Sequence, residues 1–209
     1  MGATLDDGDT VSWEWTTDVS KLLRSDADAV AIDIPIGLPD SGTRTCDREA
    51  RAMLGRRRSS VFAAPVRAVL PCATYADARG VLAALGGASM SAQAFGIVAA
   101  VRATDAVMSP ADEHRVVEAH PELAFRRLAG ADLDSKKTPP GIAQRVAALT
   151  TVFPGAADLV TAAPAPAARD DALDALACAW VARRWLRGEA VVLGNGERDA
   201  RGLLMRIVA

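Results

Sequence analysis

Val11, Trp13 and Trp15 alternate with Ser12 and Glu14, the period-2 pattern of a half-buried strand. Asp7-Gly8, just upstream, is a strong turn dipeptide, so residues 1–5 and 11–15 predict a short antiparallel hairpin. Residues 18–24 read as a short helix capped by Asp18 or Thr17. An unbroken apolar run, Ala29-Val-Ala-Ile32, predicts a buried strand through Ile34, broken by Pro35 and Gly37. Residues 38–110 are mainly helical in pattern. Helices are predicted over 46–55, over 75–85 with a Gly86-Gly87 stop, and over 91–108 before Pro110. Residues 114–122 predict another strand, ended by Pro121, and 123–128 a helix stopped by Gly130. A basic loop at 135–140 precedes a helix over 142–151, and the Ala/Pro-rich stretch 154–169 predicts an irregular connection. A helix over 170–187, stopped by Gly188, and a last strand over 203–208 complete the pattern. This order predicts an α/β fold with a mixed sheet flanked by helices.

Composition narrows the class. At 209 residues the chain is long enough for one substantial core, so residues 1–209 are expected to form a single domain. Half the residues are apolar but only 4% are aromatic, and Ala is abundant, so helices should pack closely through small side chains. A net charge of -2 excludes a chain-wide electrostatic footprint for nucleic acid; any phosphate-binding surface must be local. Three widely spread cysteines without a C-x-x-C pair argue for reduced thiols and against a zinc site or disulfide framework. The first residues carry no signal-peptide pattern, and no stretch approaches the length of a membrane span. The expectation is a soluble cytoplasmic protein.

The chemistry concentrates on carboxylates. Asp33 ends the buried run, where α/β sheets gather ligands, and an aspartate there is costly unless it is paired or binds a cation. The competing reading is a backbone cap on the Pro35-Ile36-Gly37 turn. Asp171 and Asp174 stand i, i+3 at the start of the last long helix and share one side of it. Asp170 reads as a helix cap, whereas Asp174 lies too deep to cap. Glu118 and Glu122 flank His120-Pro121, and either could complete a cluster; His120 reads as a half-buried imidazole rather than a ligand. Mg²⁺ prefers such oxygen donors on rigid elements. For substrate contact the best local basic patch is Arg56-Arg57-Arg58, with Arg67, Arg44 and Arg48 nearby; Lys136 and Lys137 form a weaker phosphate grip that is not a P-loop. Each could equally be solvated charge. Glu197 and Asp199 have no assignment.

Several ordered motifs carry a resemblance over nearly the whole chain: Ala31-Ile-Asp-Ile-Pro-Ile-Gly-Leu-Pro39, Cys46-Asp-Arg-Glu-Ala-Arg51, Ser59-Ser-Val-Phe62 with Pro65-Val-Arg67, Ser91-Ala-Gln-Ala-Phe95, Glu118-Ala-His-Pro-Glu122, Ser135-Lys-Lys-Thr138 and Asp171-Ala-Leu-Asp-Ala-Leu-Ala177. They resemble a bacterial domain-of-unknown-function family described as predicted nucleases of the RNase H-like fold. The resemblance implies an RNase H-like mixed sheet flanked by helices, with a helical insert at about 38–110 between the fourth and fifth strands. It implies that Asp33, Glu118, Asp171 and Asp174 together hold one or two Mg²⁺ (or Mn²⁺) ions for phosphodiester hydrolysis. Members of that family open with a strand of the type Gly-Val-Asp-Gly. Here Gly2-Ala-Thr-Leu5 already matches the second strand, so the first, with its central carboxylate, is missing from the sequence, and a mis-set start is the expected reason.

The expected function is therefore metal-dependent cleavage of DNA or RNA. The alternative is a non-catalytic nucleic-acid-binding or scaffold module that lacks the first-strand carboxylate. Phosphoryl transfer on a small molecule keeps the fold but lacks Gly-rich phosphate loops.

Overall fold

The computed structural model describes residues 1–8, 10–86 and 90–209 and has a mixed α/β architecture. β1 (Gly2–Leu5) and β2 (Val11–Glu14) form the antiparallel hairpin, with Asp6 Oδ1 accepting from the N–H groups of Gly8 and Thr10 to close the turn. Alternation turns Ala3, Leu5, Val11 and Trp13 toward the core. α1 (Val19–Leu23) follows, capped by Asp18, which accepts from the Ser20 N–H.

β3 (Val30–Ile32) pairs in parallel with β4 (Val116–Glu118), in the register Val30 to Val116 and Ile32 to Glu118. The link between them is the helical stretch: α2 (Thr45–Leu54), a 3-10 turn over Gly55–Ser60, α3 (Tyr75–Ala84), α4 (Ala92–Gly96) and α5 (Val98–Val107). The single helix expected over 91–108 is two helices that meet at Gly96 and Ile97. Gly87 of the expected Gly86-Gly87 stop lies outside the described residues.

After β4, α6 (Pro121–Ala129) ends on Gly130 in the left-handed conformation. α7 (Pro139–Thr150) begins three residues before the expected start, because Thr138 caps it and prolines fit a first helical turn, whose N–H groups have no intrahelical partner. α8 (Ala156–Thr161) lies within the stretch expected to be irregular. α9 (Arg169–Leu186) is the longest helix, and Leu173, Leu176, Trp180 and Val181 bury it against Phe125, Leu149, Phe153, Val117 and Val208. Of the strand expected over 203–208 only β6 (Ile207–Val208) is regular; it pairs with β5 (Val192–Leu193) and bridges Ala119 through Val208.

α9 packs against both β1 and β3, yet these two strands do not pair with each other. The hairpin and the parallel ladder thus lie on one helix as separate pieces of sheet.

The turn after β3 is clamped from behind by a buried ion network. Arg44, 2% exposed, donates from Nη1 and Nη2 to the two Glu118 oxygens at 2.7 Å each, and from Nη2 to Asp47 at 2.6 Å. Its Nη1 also reaches the Ile36 and Gly37 carbonyls, while the Ile36 N–H donates to Glu118 at 2.8 Å. Burial works to lower the Arg44 pKa, but the Glu118 and Asp47 carboxylates more than reverse this and hold it well above its ordinary value. Asp199 completes the clamp by accepting from the Leu38 N–H at 3.0 Å and from Arg67. Gly37 has φ 75, and a Cβ there would lie 2.8 Å from the Leu204 carbonyl oxygen, so only glycine fits.

Removing one partner from such a network leaves buried charge uncompensated. Arg44→Ala is expected to cost about 3–5 kcal/mol in urea unfolding, and Arg44→Lys to recover only part of it, because an ammonium cannot fork between two carboxylates. A loss under about 1 kcal/mol would show that the network is not what holds the turn.

Candidate functional site

Side chains alternate across a strand, and this decides which acids can meet. Asp33 immediately follows β3 and falls on the side of Ala31, the side that Val117 and Ala119 share and that packs on α9. Ile32 and Glu118 point the other way, toward Ile36 and Arg44. Glu118 is therefore not brought to Asp33. Both its oxygens serve Arg44 and the Ile36 N–H, which makes it a positioning residue for the turn that carries Asp33.

Asp33 itself is exposed, and its side chain makes no hydrogen bond among the described residues. Its pKa is raised, chiefly because the surrounding protein disfavours its charge; His120 and Lys136 oppose that shift and Glu122 adds to it. On α9, Asp174 Oδ2 accepts from Lys136 Nζ at 2.6 Å, whereas Oδ1 is buried without a partner. Burial raises the Asp174 carboxyl to about 6, against the pull of Lys136, with the Asp33 and Glu122 charges pushing the same way as burial. Cys178, one helical turn further on, has its thiol pKa raised well above the ordinary value by burial and then by Asp33 and Asp174. The Asp33 charge thus acts on Asp174 and on Cys178, along the same stretch of α9.

The remaining predicted residues divide. Asp171 accepts from the Ala168 N–H at 3.1 Å and caps α9, while Asp170 lies 3.9 Å from Lys136 Nζ; this reverses the expected roles of the two aspartates. α9 begins at Arg169 with Ala168 as its cap, which makes Asp171 the third helical residue and the one that caps, while Asp170 lies one turn before Asp174 and shares Lys136 with it. Glu122 belongs to the electrostatic neighbourhood of Asp33 and Asp174, but its oxygens accept from Arg145, which is fully buried. His120 faces the Ser60 carbonyl through Nε2 at 3.3 Å, so that nitrogen carries the proton, and Nδ1 is buried without a partner. Among the substrate-binding candidates, Arg67 is engaged by Asp105 and Asp199 and Lys136 by Asp174. Arg56, Arg58 and Lys137 are exposed, and Arg57 lies 4.0 Å from Glu122.

Arg145 was not singled out from the sequence, although it shares one stripe of α7 with Gly141, Ala148 and Leu149, and an arginine on a buried stripe signals a buried partner. Gly141 lets the Lys136 loop approach: a Cβ there would lie 2.0 Å from the Ser135 carbonyl oxygen. Among the described residues no three His, Cys, Asp or Glu side chains are grouped so that they could hold a metal ion. The site is Asp174, with one buried oxygen unpartnered, and the exposed Asp33, bordered by one lysine, one imidazole and a glutamate neutralised by Arg145.

A carboxyl whose pKa rises from 3.8 in the unfolded chain to about 6 in the fold favours the fold when protonated. That contribution is full below about pH 4 and gone above about pH 6, a swing of about 3 kcal/mol at most. Asp174→Asn removes the titration, so the variant should gain stability relative to the parent protein as pH rises from 4 to 7 in urea unfolding. A constant difference across that range would show that Asp174 titrates normally.

Among the described residues no helix is long and apolar enough to cross a membrane. No curated protein and no solved structure matches the chain. The family described as "Protein of unknown function (DUF429)" matches residues 1–198, and the chain belongs to that family.

Proposed function

We propose that the protein is a Mg²⁺- or Mn²⁺-dependent phosphodiester hydrolase acting on DNA or RNA, with Asp33 and Asp174 as its central acids. The observation that carries this reading is the buried, unpartnered oxygen of Asp174 on α9, with the exposed Asp33 on the turn after β3 acting on it. An orphaned buried carboxylate oxygen is costly, and a cation relieves that cost. Mg²⁺ is commonly held by one or two carboxylates, with waters and substrate oxygens completing its shell, so a two-acid site fits the ion. When bound, the ion supplies a nucleophilic hydroxide at neutral pH and stabilises the leaving oxygen. Lys136 fixes the Asp174 carboxylate through Oδ2 and leaves Oδ1 toward the site. His120 acts on Asp33, and its Nδ1 is buried without a partner. Arg145 neutralises Glu122, and Arg44 and Glu118 keep the Asp33 turn in place.

The antiparallel hairpin, the parallel β3–β4 ladder and α9 across both support an RNase H-like fold, with the helices between β3 and β4 as its insert. The packing of α9 on β1, β3, α6, α7 and α8 supports one domain over residues 1–209. One observation favours the second reading, a non-catalytic scaffold or nucleic-acid-binding module. β1 and β3 share α9 without pairing, as they would if the sheet were short of a central strand with its carboxylate.

Labelled DNA and RNA oligonucleotides incubated with the protein in Mg²⁺ or Mn²⁺ decide between them. Cleavage that chelator stops and that Asp33→Asn and Asp174→Asn abolish is the expected result. Cleavage unchanged in both variants overturns the assignment. No cleavage by the folded protein favours the scaffold reading.

A further inference from the structure

Phe62 is 44% exposed although it stands on a fixed stretch of chain. Two residues before it, the Ser60 carbonyl accepts from His120; two residues after it, the Ala64 N–H donates to the buried Asp47 at 3.1 Å. Val61, its immediate neighbour, is buried in the cluster formed with α2 and Leu123. The ring is thus presented to solvent from a backbone pinned on both sides. Within six residues stand Arg56 and Arg58, both exposed and, among the described residues, without a side-chain hydrogen bond or ion pair. The intervening Arg57 leans toward Glu122, and His120 acts on Asp33, so the segment borders the carboxylate pair. The chain as a whole carries a net charge of -2, which makes this positive stretch a local feature.

We propose that residues 56–62 form a platform for single-stranded nucleic acid, in which Phe62 stacks on an unpaired base while Arg56 and Arg58 contact flanking phosphates. A rigid exposed ring offers a π-face that any unpaired base can cover, and arginines track the backbone on either side. A duplex keeps its bases stacked on each other and leaves the ring no face to cover. The proposal deepens the nuclease reading by naming single strands as the substrate and rests on that reading for the role of the neighbouring acids.

Fluorescence anisotropy in EDTA tests binding apart from cleavage, using a labelled single-stranded oligonucleotide and the duplex of the same sequence. The single strand should bind more tightly than the duplex. Phe62→Ala should weaken single-strand binding roughly 5- to 100-fold with an unchanged salt slope, and Phe62→Trp should retain it. Arg56→Ala with Arg58→Ala should lower the slope of log K against log salt by about 1.4, two phosphates' worth. Because the ring is exposed, thermal melts should coincide for the parent protein and Phe62→Ala. Equal affinity for duplex, no binding to either oligonucleotide, or a Phe62→Ala variant that binds like the parent protein overturns the platform. So does a change in self-association on size-exclusion as the only effect of Phe62→Ala. Tight single-strand binding without cleavage in Mn²⁺ leaves the platform standing and removes the nuclease reading. Cleavage indifferent to Phe62 does the reverse.

Discussion

The guanidinium of Arg44 is the constraint on which the site depends. It is buried where a cation is tolerated only with its charge answered, and Glu118 and Asp47 answer it from two different elements. Through the Ile36 and Gly37 carbonyls the same group grips the turn that follows β3. A parallel strand end would otherwise run into an unpaired loop, free to carry Asp33 in several directions. Here the loop's donors and acceptors are satisfied from below by Arg44 and Glu118 and from the C-terminal side by Asp199. Burial works to raise the Asp199 pKa, but the N–H groups of Leu38, Leu203 and Arg201 and the Arg67 guanidinium hold it below the usual range, so it remains an acceptor.

The parallel ladder therefore has two faces with different duties. On one, Glu118 is saturated with hydrogen bonds and fixes the backbone. On the other, Asp33 has none and looks toward α9, where Asp174 leaves one oxygen without a partner. Glu122 repeats the first device one element later: Arg145 closes on it bidentately and keeps its charge from dominating the site. The fold neutralises two buried glutamates thoroughly, yet leaves one buried oxygen of Asp174 without a partner and Asp33 exposed with no side-chain hydrogen bond among the described residues.

Much of this was legible in the residues. The alternation at Val11–Glu14, the apolar run before Asp33 and the capped helix with Asp174 inside it were readable because local pattern alone specifies them; Trp15, expected on the buried side, lies past the end of β2 and is exposed. The roles of the individual acids were less so. Glu118 and Asp33 end adjacent strands, but the two-residue period of a strand and the pairing register assign them to opposite faces, and register is not written in either segment alone. Asp171 and Asp170 exchanged roles because capping depends on where the helix starts: with Ala168 as the N-cap, Asp171 is the third helical residue, the one that reaches back to the cap N–H. Arg44 reads in the sequence only as part of a basic patch, and Arg145 does not stand out in it; Glu118 and Glu122, which they clasp, are 74 and 23 residues away in the chain, a separation that only the tertiary fold closes.

The proposed cation site between Asp33 and Asp174 is open to direct observation by anomalous diffraction from crystals soaked in Mn²⁺. The expected result is a manganese peak within coordination distance of an oxygen from each of the two aspartates, with Glu118 still clasped by Arg44. A peak at any other cluster, or an Asp174 Oδ1 found facing a protein donor with no metal between the two acids, would contradict it.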